Sequence, residues 1–313
     1  MHNFLRRLRA IWLGGLLVLA LVFPAFAGPP NQFIVFGDSL SDPGNAFELL
    51  GTETVPPFLS LVPSAPYARG GHHFSNGQTW IEQLAKAGPA FRNPGVFFNY
   101  AVGGARARLA GPYDLTGLVS RYLADVGGRG GADAIYVVWM GGDDVRDAIL
   151  ALPTDPTGTQ SGLILQQAIG VIQNNLLVLY GAGARNFLVP NLPDVGLSPE
   201  AQLQGPLVQF YASYFAQQFN AGLEQMLAGL QAALGVPIGR VDVFTLHHEV
   251  FAAPALFGLS NASAPCIRLN TTVAPYCEKP NEYLFWDGTH PTVAGHGVIA
   301  QRANAVISVM WPR

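Results

Sequence analysis

"FIVFGDSLSDPGN", residues 33 to 45, is a run of four apolar residues that stops at Gly37, Asp38 and Ser39 and then turns at Pro43-Gly44. A short apolar run bounded by turn residues predicts a buried strand, and Pro-Gly fits a type II turn. Ser39 is thereby placed just past the carboxyl end of the strand. A serine in that position can equally cap a turn or a helix. Its meaning depends on what the rest of the chain brings to it.

Four further apolar runs follow: "VFFNYA" (96 to 101), "AIYVVWM" (134 to 140), "NFLVP" (186 to 190) and "PIGRVDVF" (237 to 244). Helix-patterned segments separate them. This alternation predicts an α/β fold with a five-stranded parallel sheet covered on both faces. The clearest helix spans 203 to 234, where Leu203, Leu207, Tyr211, Tyr214, Phe215, Leu223, Met226, Leu227, Leu230 and Leu234 form a stripe that predicts core packing. A second lies near 162 to 181, and a last one is expected to start at Pro291 and end near Met310. No linker composition interrupts residues 28 to 313, which read as one domain. Two long loops rich in Pro, Gly and Ser, 51 to 78 and 254 to 283, are candidate substrate walls, since ligands of open parallel sheets bind beyond the strand carboxyl ends. The aromatics around them, Phe58, Tyr67, Phe74, Phe257, Tyr283 and Trp286, either line an apolar pocket or pack the loops against the core.

Half of the 313 residues are hydrophobic, enough for a large core. Arg6, Arg7 and Arg9, the apolar run Ile11 to Phe23, Pro24 and "AFA" at 25 to 27 have the pattern of a secretory signal over residues 1 to 27. The apolar run is shorter than the roughly 20 residues of a membrane-spanning helix. Removing 27 of 313 residues leaves 286 and takes away three arginines, so the net charge moves from −3 to −6. An acidic chain without basic clusters is not built to bind nucleic acid. Export, to a periplasm or beyond the cell, agrees with the two cysteines: Cys266 and Cys277 lie eleven positions apart in a loop-like stretch and predict a disulfide. No cysteine follows the apolar run, so no lipid anchor is expected there.

The chemistry narrows by elimination. H-E-x-x-H, the P-loop motif, the G-x-S-x-G elbow and zinc-spaced Cys/His clusters are all missing. The glycine cluster "GGRGGAD" (127 to 133) precedes its strand, unlike a dinucleotide loop. The pairs His72/His73 and His247/His248 read as residues of solvated turns or helix faces. What remains is "FWDGTHPTVAGH" (285 to 296), with Asp287 and His290 three apart. At that spacing a carboxylate can take the imidazole Nδ1–H and leave Nε2 to accept a proton from a serine. Serine, acid and histidine, each at a strand end or in a loop, point to acyl transfer without a cofactor.

On these residues the chain resembles the GDSL lipase and esterase family, the SGNH hydrolases. "FGDSLSDPGN" (36 to 45), "NYAVGGA" (99 to 105), "WMGGDD" (139 to 144) and "DGTHPT" (287 to 292) are similar to its four blocks in order. "HHFSNGQTWIEQLA" (72 to 85) resembles the subgroup that includes plant-type enzymes and bacterial extracellular lipases and choline esterases. The resemblance implies a flavodoxin-like three-layer sandwich with strand order 2-1-3-4-5, Ser39 as nucleophile, His290 as base and Asp287 as its orienter. It also implies a small-molecule or lipid ester as substrate, with peripheral contact with lipid aggregates among the expectations. An acyltransferase that resolves the same acyl-enzyme with an alcohol, and a non-catalytic binding protein on the same fold, are the rival readings; a metal hydrolase using Asp143 and Asp144 ranks below both.

The oxyanion hole is expected from the backbone N–H groups of Ser39 and Gly103, with Gly104 nearly equal to Gly103. The family's third block carries Asn where this chain has Asp143. An ionised carboxylate accepts hydrogen bonds only and repels an oxyanion. Asp143 therefore either donates as the neutral acid, turns away, or is replaced by a donor from a long loop. Asp144 matches the family's Asp and reads as scaffold, and Asp38 and Asp42 read as turn formers.

Overall fold

A computed structural model describes Pro30, residues 32 to 87 and residues 97 to 312. The proposed signal segment lies outside the described residues. Five strands, β1 (Gln32–Gly37), β2 (Phe97–Asn99), β3 (Ala134–Trp139), β4 (Asn186–Pro190) and β5 (Ile238–Val241), form one parallel sheet in the order β2-β1-β3-β4-β5. All of its pairings are parallel, with Phe33 opposite Phe97 and Ile135, and Phe187 opposite Ile238. β3 is buried at all of its positions and β1 at all but the first. That is why both read as unbroken apolar runs: a sheet covered on two faces has no polar side.

Nine helices are introduced in chain order, among the described residues: α1 (Asn45–Leu50), α2 (Trp80–Ala87), α3 (Leu115–Asp125), α4 (Gly142–Ala151), α5 (Thr159–Ala182), α6 (Pro199–Gln204), α7 (Pro206–Leu234), α8 (Val243–Ala252) and α9 (Val293–Met310). α2 packs on α9, while α3, α4, α5 and α7 pack among themselves, so two helical layers enclose the sheet. Two short strands, β6 (Asn261–Pro265) and β7 (Tyr283–Phe285), pair beside this sandwich.

Three expectations need correction. The helix expected over 203 to 234 is two helices, because Gly205 takes a φ of 95° and Pro206 restarts the chain with no N–H to give. Its stripe is core only in part: Phe215, Leu223, Leu227 and Leu230 are buried, whereas Leu203 and Leu207 are each 69% exposed. The run at 237 to 244 is half strand and half helix, since the Asp242 side chain accepts the Thr245 N–H at 3.0 Å and caps α8. Pro291 lies before the last helix, which is capped by Thr292 accepting the Gly295 N–H at 3.1 Å.

Candidate active site

The turn after β1 is built by its own carboxylates. Asp38 Oδ1 accepts the Leu40 N–H at 3.0 Å, and the Ser41 N–H reaches the Asp38 carbonyl at 3.1 Å, which holds Ser39 at the tip. Asp42 is a hub: Oδ1 accepts Gly44 and Asn45 N–H at 2.8 and 2.6 Å, and Oδ2 accepts Ala46 and Gly103 N–H at 3.1 and 2.8 Å. Asn45 Nδ2 adds bonds to the carbonyls of Asn99 and Ala101 at 3.0 and 2.8 Å. The turn that carries Ser39 and the turn that carries Gly103 and Gly104 are thus one rigid unit.

Across the mouth, the segment after β7 folds on Asp287, whose Oδ1 accepts the N–H groups of Thr289 and His290 at 2.8 and 2.7 Å. His290 Nδ1 is 2.7 Å from Asp287 Oδ2, and its Nε2 is 2.8 Å from Ser39 Oγ. The bond to a buried carboxylate places the proton on Nδ1, so Nε2 accepts from the serine hydroxyl. Burial disfavours the imidazolium, but the carboxylates around it, Asp287 first and then Asp143 and Asp38, together hold His290 above its ordinary range. Phe74 closes the other side, its ring centroid 5.3 Å from the imidazole.

The expected oxyanion donors are redistributed. The Gly103 N–H is already given to Asp42, so this glycine serves a different end: a Cβ there would overlap the Phe74 ring. The Gly104 N–H has no partner among the described residues, and neither has that of Ser39. Gly104 has φ +82° and open space where a Cβ would stand, so its backbone conformation, not crowding, calls for glycine.

The two adjacent aspartates separate. Asp144 is fully buried and accepts the Ala107 and Arg108 N–H groups at 2.7 and 3.2 Å, which ties the segment just after the second block to the third. Asp143, in the first turn of α4, is among the residues that line the cavity, with Asp38, Ser39 and His290. Burial pushes its carboxyl above the usual range, against the pull of Arg106, Arg146 and His290. Asp38 is raised as well, first by burial and then by Asp143. The histidine pairs are less solvated than their sequence suggests: His73 and His247 are 7% and 8% exposed, and His73 Nε2 pairs with Glu82 at 2.9 Å.

A cavity of about 240 Å³ opens at Ser39 and runs back between α4, α7, α8 and α9. Leu192, Val195, Val208, Ala212, Leu246 and Val298 are among its walls. Of the loop expected over 51 to 78 only Val62 lines it, and of 254 to 283 nothing does. Those loops instead share a separate aromatic cluster of Phe58, Leu61, Tyr67, Ile267 and Trp286 around the Cys266–Cys277 disulfide. Helices were the walls that sequence reasoning missed, because an apolar stripe looks the same whether it fills a core or faces a cavity.

A profile described as GDSL-like Lipase/Acylhydrolase matches residues 33–303. Esterase EstA of Pseudomonas aeruginosa is 31% identical over 92% of this chain, which spans only 48% of that protein. The GDSL esterase/lipase At1g74460 of Arabidopsis thaliana is 28% identical, covering 86% of this chain and 85% of its own length. A variant of Axe2, an acetylxylan esterase from Geobacillus stearothermophilus, is similar in fold, with a TM-score of 0.50 at 16% identity over 91% of this chain and 98% of that one. The ordered blocks, the sheet order and the match over most of the length agree: the chain belongs to the GDSL-like lipase/acylhydrolase family and is a carboxylic ester hydrolase.

Proposed function

We propose that the chain cleaves esters with an apolar acyl group through a Ser39–His290–Asp287 triad and an acyl-enzyme. Ser39 Oγ attacks the carbonyl carbon while His290 Nε2 takes its proton; the same proton then passes to the departing alkoxide as the C–O bond breaks. Water, deprotonated by His290, releases the acid and regenerates Ser39. The developing oxyanion is met by the N–H groups of Ser39 and Gly104, and by Asp143 as the neutral acid, which can donate where the carboxylate cannot. No cofactor enters these steps.

The observation that carries this reading is the unbroken hydrogen-bond chain from Asp287 through His290 to Ser39, at 2.7 and 2.8 Å, at the mouth of an apolar cavity. The cavity supports the acyl preference, since burying each methylene contributes about 0.8 kcal/mol. Leu150, 63% exposed, lines the same cavity, and Leu203, Leu207 and Phe210 are exposed on α6 and α7 nearby, which supports contact with aggregated lipid esters. Residues 28 to 313 form the working domain. The arginine-led apolar segment and the disulfide support export.

An ester chain-length panel tests this. The wild type gains kcat/KM from acetyl to medium acyl chains, Ser39→Ala loses hydrolysis of every ester, and Val208→Trp, at a cavity wall, loses about tenfold on the longer chains while retaining acetyl esters. Equal rates across chain lengths in both the wild type and Val208→Trp would remove the cavity from the account.

A further inference from the structure

The triad's acid has one more partner, and it comes from a loop that the mechanism above does not use. Tyr67 Oη donates to Asp287 Oδ2 at 2.9 Å, the oxygen that also accepts His290 Nδ1–H. Tyr67 and Asp287 are both fully buried. With the Thr289 and His290 N–H groups on Oδ1, four donors surround this carboxylate in the interior. Three of them belong to the segment 287 to 290 itself; Tyr67 alone reaches in from 220 residues away.

The tyrosine is held by aromatic packing. Its ring meets Trp286 edge-on at 5.6 Å and Phe58 edge-on at 5.7 Å, and Trp286 stacks on Tyr276 at 5.2 Å, under which lies the Arg69 guanidinium at 4.3 Å. The Trp286 carbonyl accepts the Cys266 and Ile267 N–H groups at 3.1 and 2.9 Å, so the disulfide-bearing loop grips the residue next to Asp287. Burial and the neighbouring Asp287 push the phenol far above its ordinary value, so it remains a donor wherever the enzyme works. The loops expected to wall the substrate are braced against the acid instead.

We propose that Tyr67 is a positioning residue of the catalytic site: its hydroxyl fixes Asp287 Oδ2 against His290 and takes up part of the carboxylate's charge, which limits how strongly Asp287 retains the proton on the imidazolium. This rests on the triad reading. In a site this dry, a carboxylate that loses one donor draws harder on those that remain. Loss of the hydroxyl therefore favours the imidazolium and raises the pH at which His290 becomes a base.

Tyr67→Phe keeps the ring and removes the bond. The expected result is an acid limb of the kcat/KM profile displaced upward by about half a pH unit or more, kcat at the plateau lowered roughly three- to thirtyfold, and KM within about twofold of wild type. Phe58→Leu, in the same cluster without a bond to Asp287, controls for packing: it lowers the melting temperature but leaves the pH profile in place. A Tyr67→Phe enzyme that melts like wild type and has the wild-type profile and kcat overturns the proposal, as does a Phe58→Leu enzyme showing the same displacement. If Tyr67→Phe does not fold, Tyr67→Leu, smaller and without any hydrogen-bond donor, is put to the same profile under the same criteria. Ser39→Ala run alongside separates the cases, because activity surviving there means that the triad itself was misread.

Discussion

Replacing Asp143 by Asn changes one atom pair at the point where this chain leaves its family's pattern. Asp143 lines the cavity beside Ser39 and His290, and burial raises its carboxyl above the ordinary range. A raised value means that the neutral, donating form survives to higher pH than in water and is lost as pH rises further. His290 is also raised, so the free base is populated only on the alkaline side of its ordinary range. The wild type therefore needs a protonated Asp143 and an unprotonated His290 together, and its kcat/KM profile is a bell. Asn donates at every pH, so Asp143→Asn has the acid limb alone. A single oxyanion donor is worth about 2.7 to 4 kcal/mol, or roughly 10²- to 10³-fold in kcat. The variant should match wild type within a few-fold on the acid side of the profile, where Asp143 is neutral, and exceed it by up to about a hundredfold on the alkaline side, where the carboxyl is lost to its ionised form. The assay is kcat and kcat/KM for a soluble p-nitrophenyl ester across both sides of the profile, with the melting temperature as a folding control. A fall in kcat at every pH would overturn this and give the carboxylate a positive role as an anion, and two profiles that run parallel would remove Asp143 from the oxyanion hole.

Other consequences follow from single contacts. Opening the Cys266–Cys277 bridge by changing both residues to serine releases a loop of eleven residues, which costs about 3 kcal/mol and lowers the melting temperature by about 5 °C or more in differential scanning calorimetry. Because that loop grips Trp286, kcat should fall as well, whereas a loop that served only stability would leave kcat untouched at low temperature. Gly104→Ala forces a side chain into φ +82° and shifts the N–H assigned to the oxyanion, so kcat should drop about tenfold or more with KM little changed; an unchanged kcat would return the donor to another amide.

Much of this architecture was legible before any coordinates. β1 and β3 could be read because a strand buried on both faces is written as a continuous apolar run, and "NFLVP" coincides with β4 end to end. Ser39, His290 and Asp287 stood out because each sits at a strand end or turn, and the structure brings the three together. The legible part ended where function depends on which way an atom points. Nothing in "AVGGA" tells that the first glycine makes room for Phe74 and spends its N–H on Asp42 while the second keeps its N–H free. The break at Gly205-Pro206 was written in the residues but overridden by the leucine stripe running through it. The long loops are only half legible: Pro, Gly and Ser announce irregular backbone and suggest substrate walls, while the packing reading of their aromatics is the one that holds for Phe58, Tyr67 and Trp286, which share a core of their own. Tyr67 cannot be paired with Asp287 from sequence, since no motif sets a lone tyrosine in a long loop apart as a partner of the acid.

The central claim is that Ser39 is a nucleophile activated by His290 at the mouth of the cavity. Treatment of the intact protein with a fluorophosphonate, followed by mass mapping of the adduct, addresses it most directly. A single adduct on Ser39 is expected in the wild type, formed far more slowly in His290→Ala and not at all in Ser39→Ala. An unlabelled wild type, or labelling that persists in Ser39→Ala, would contradict it.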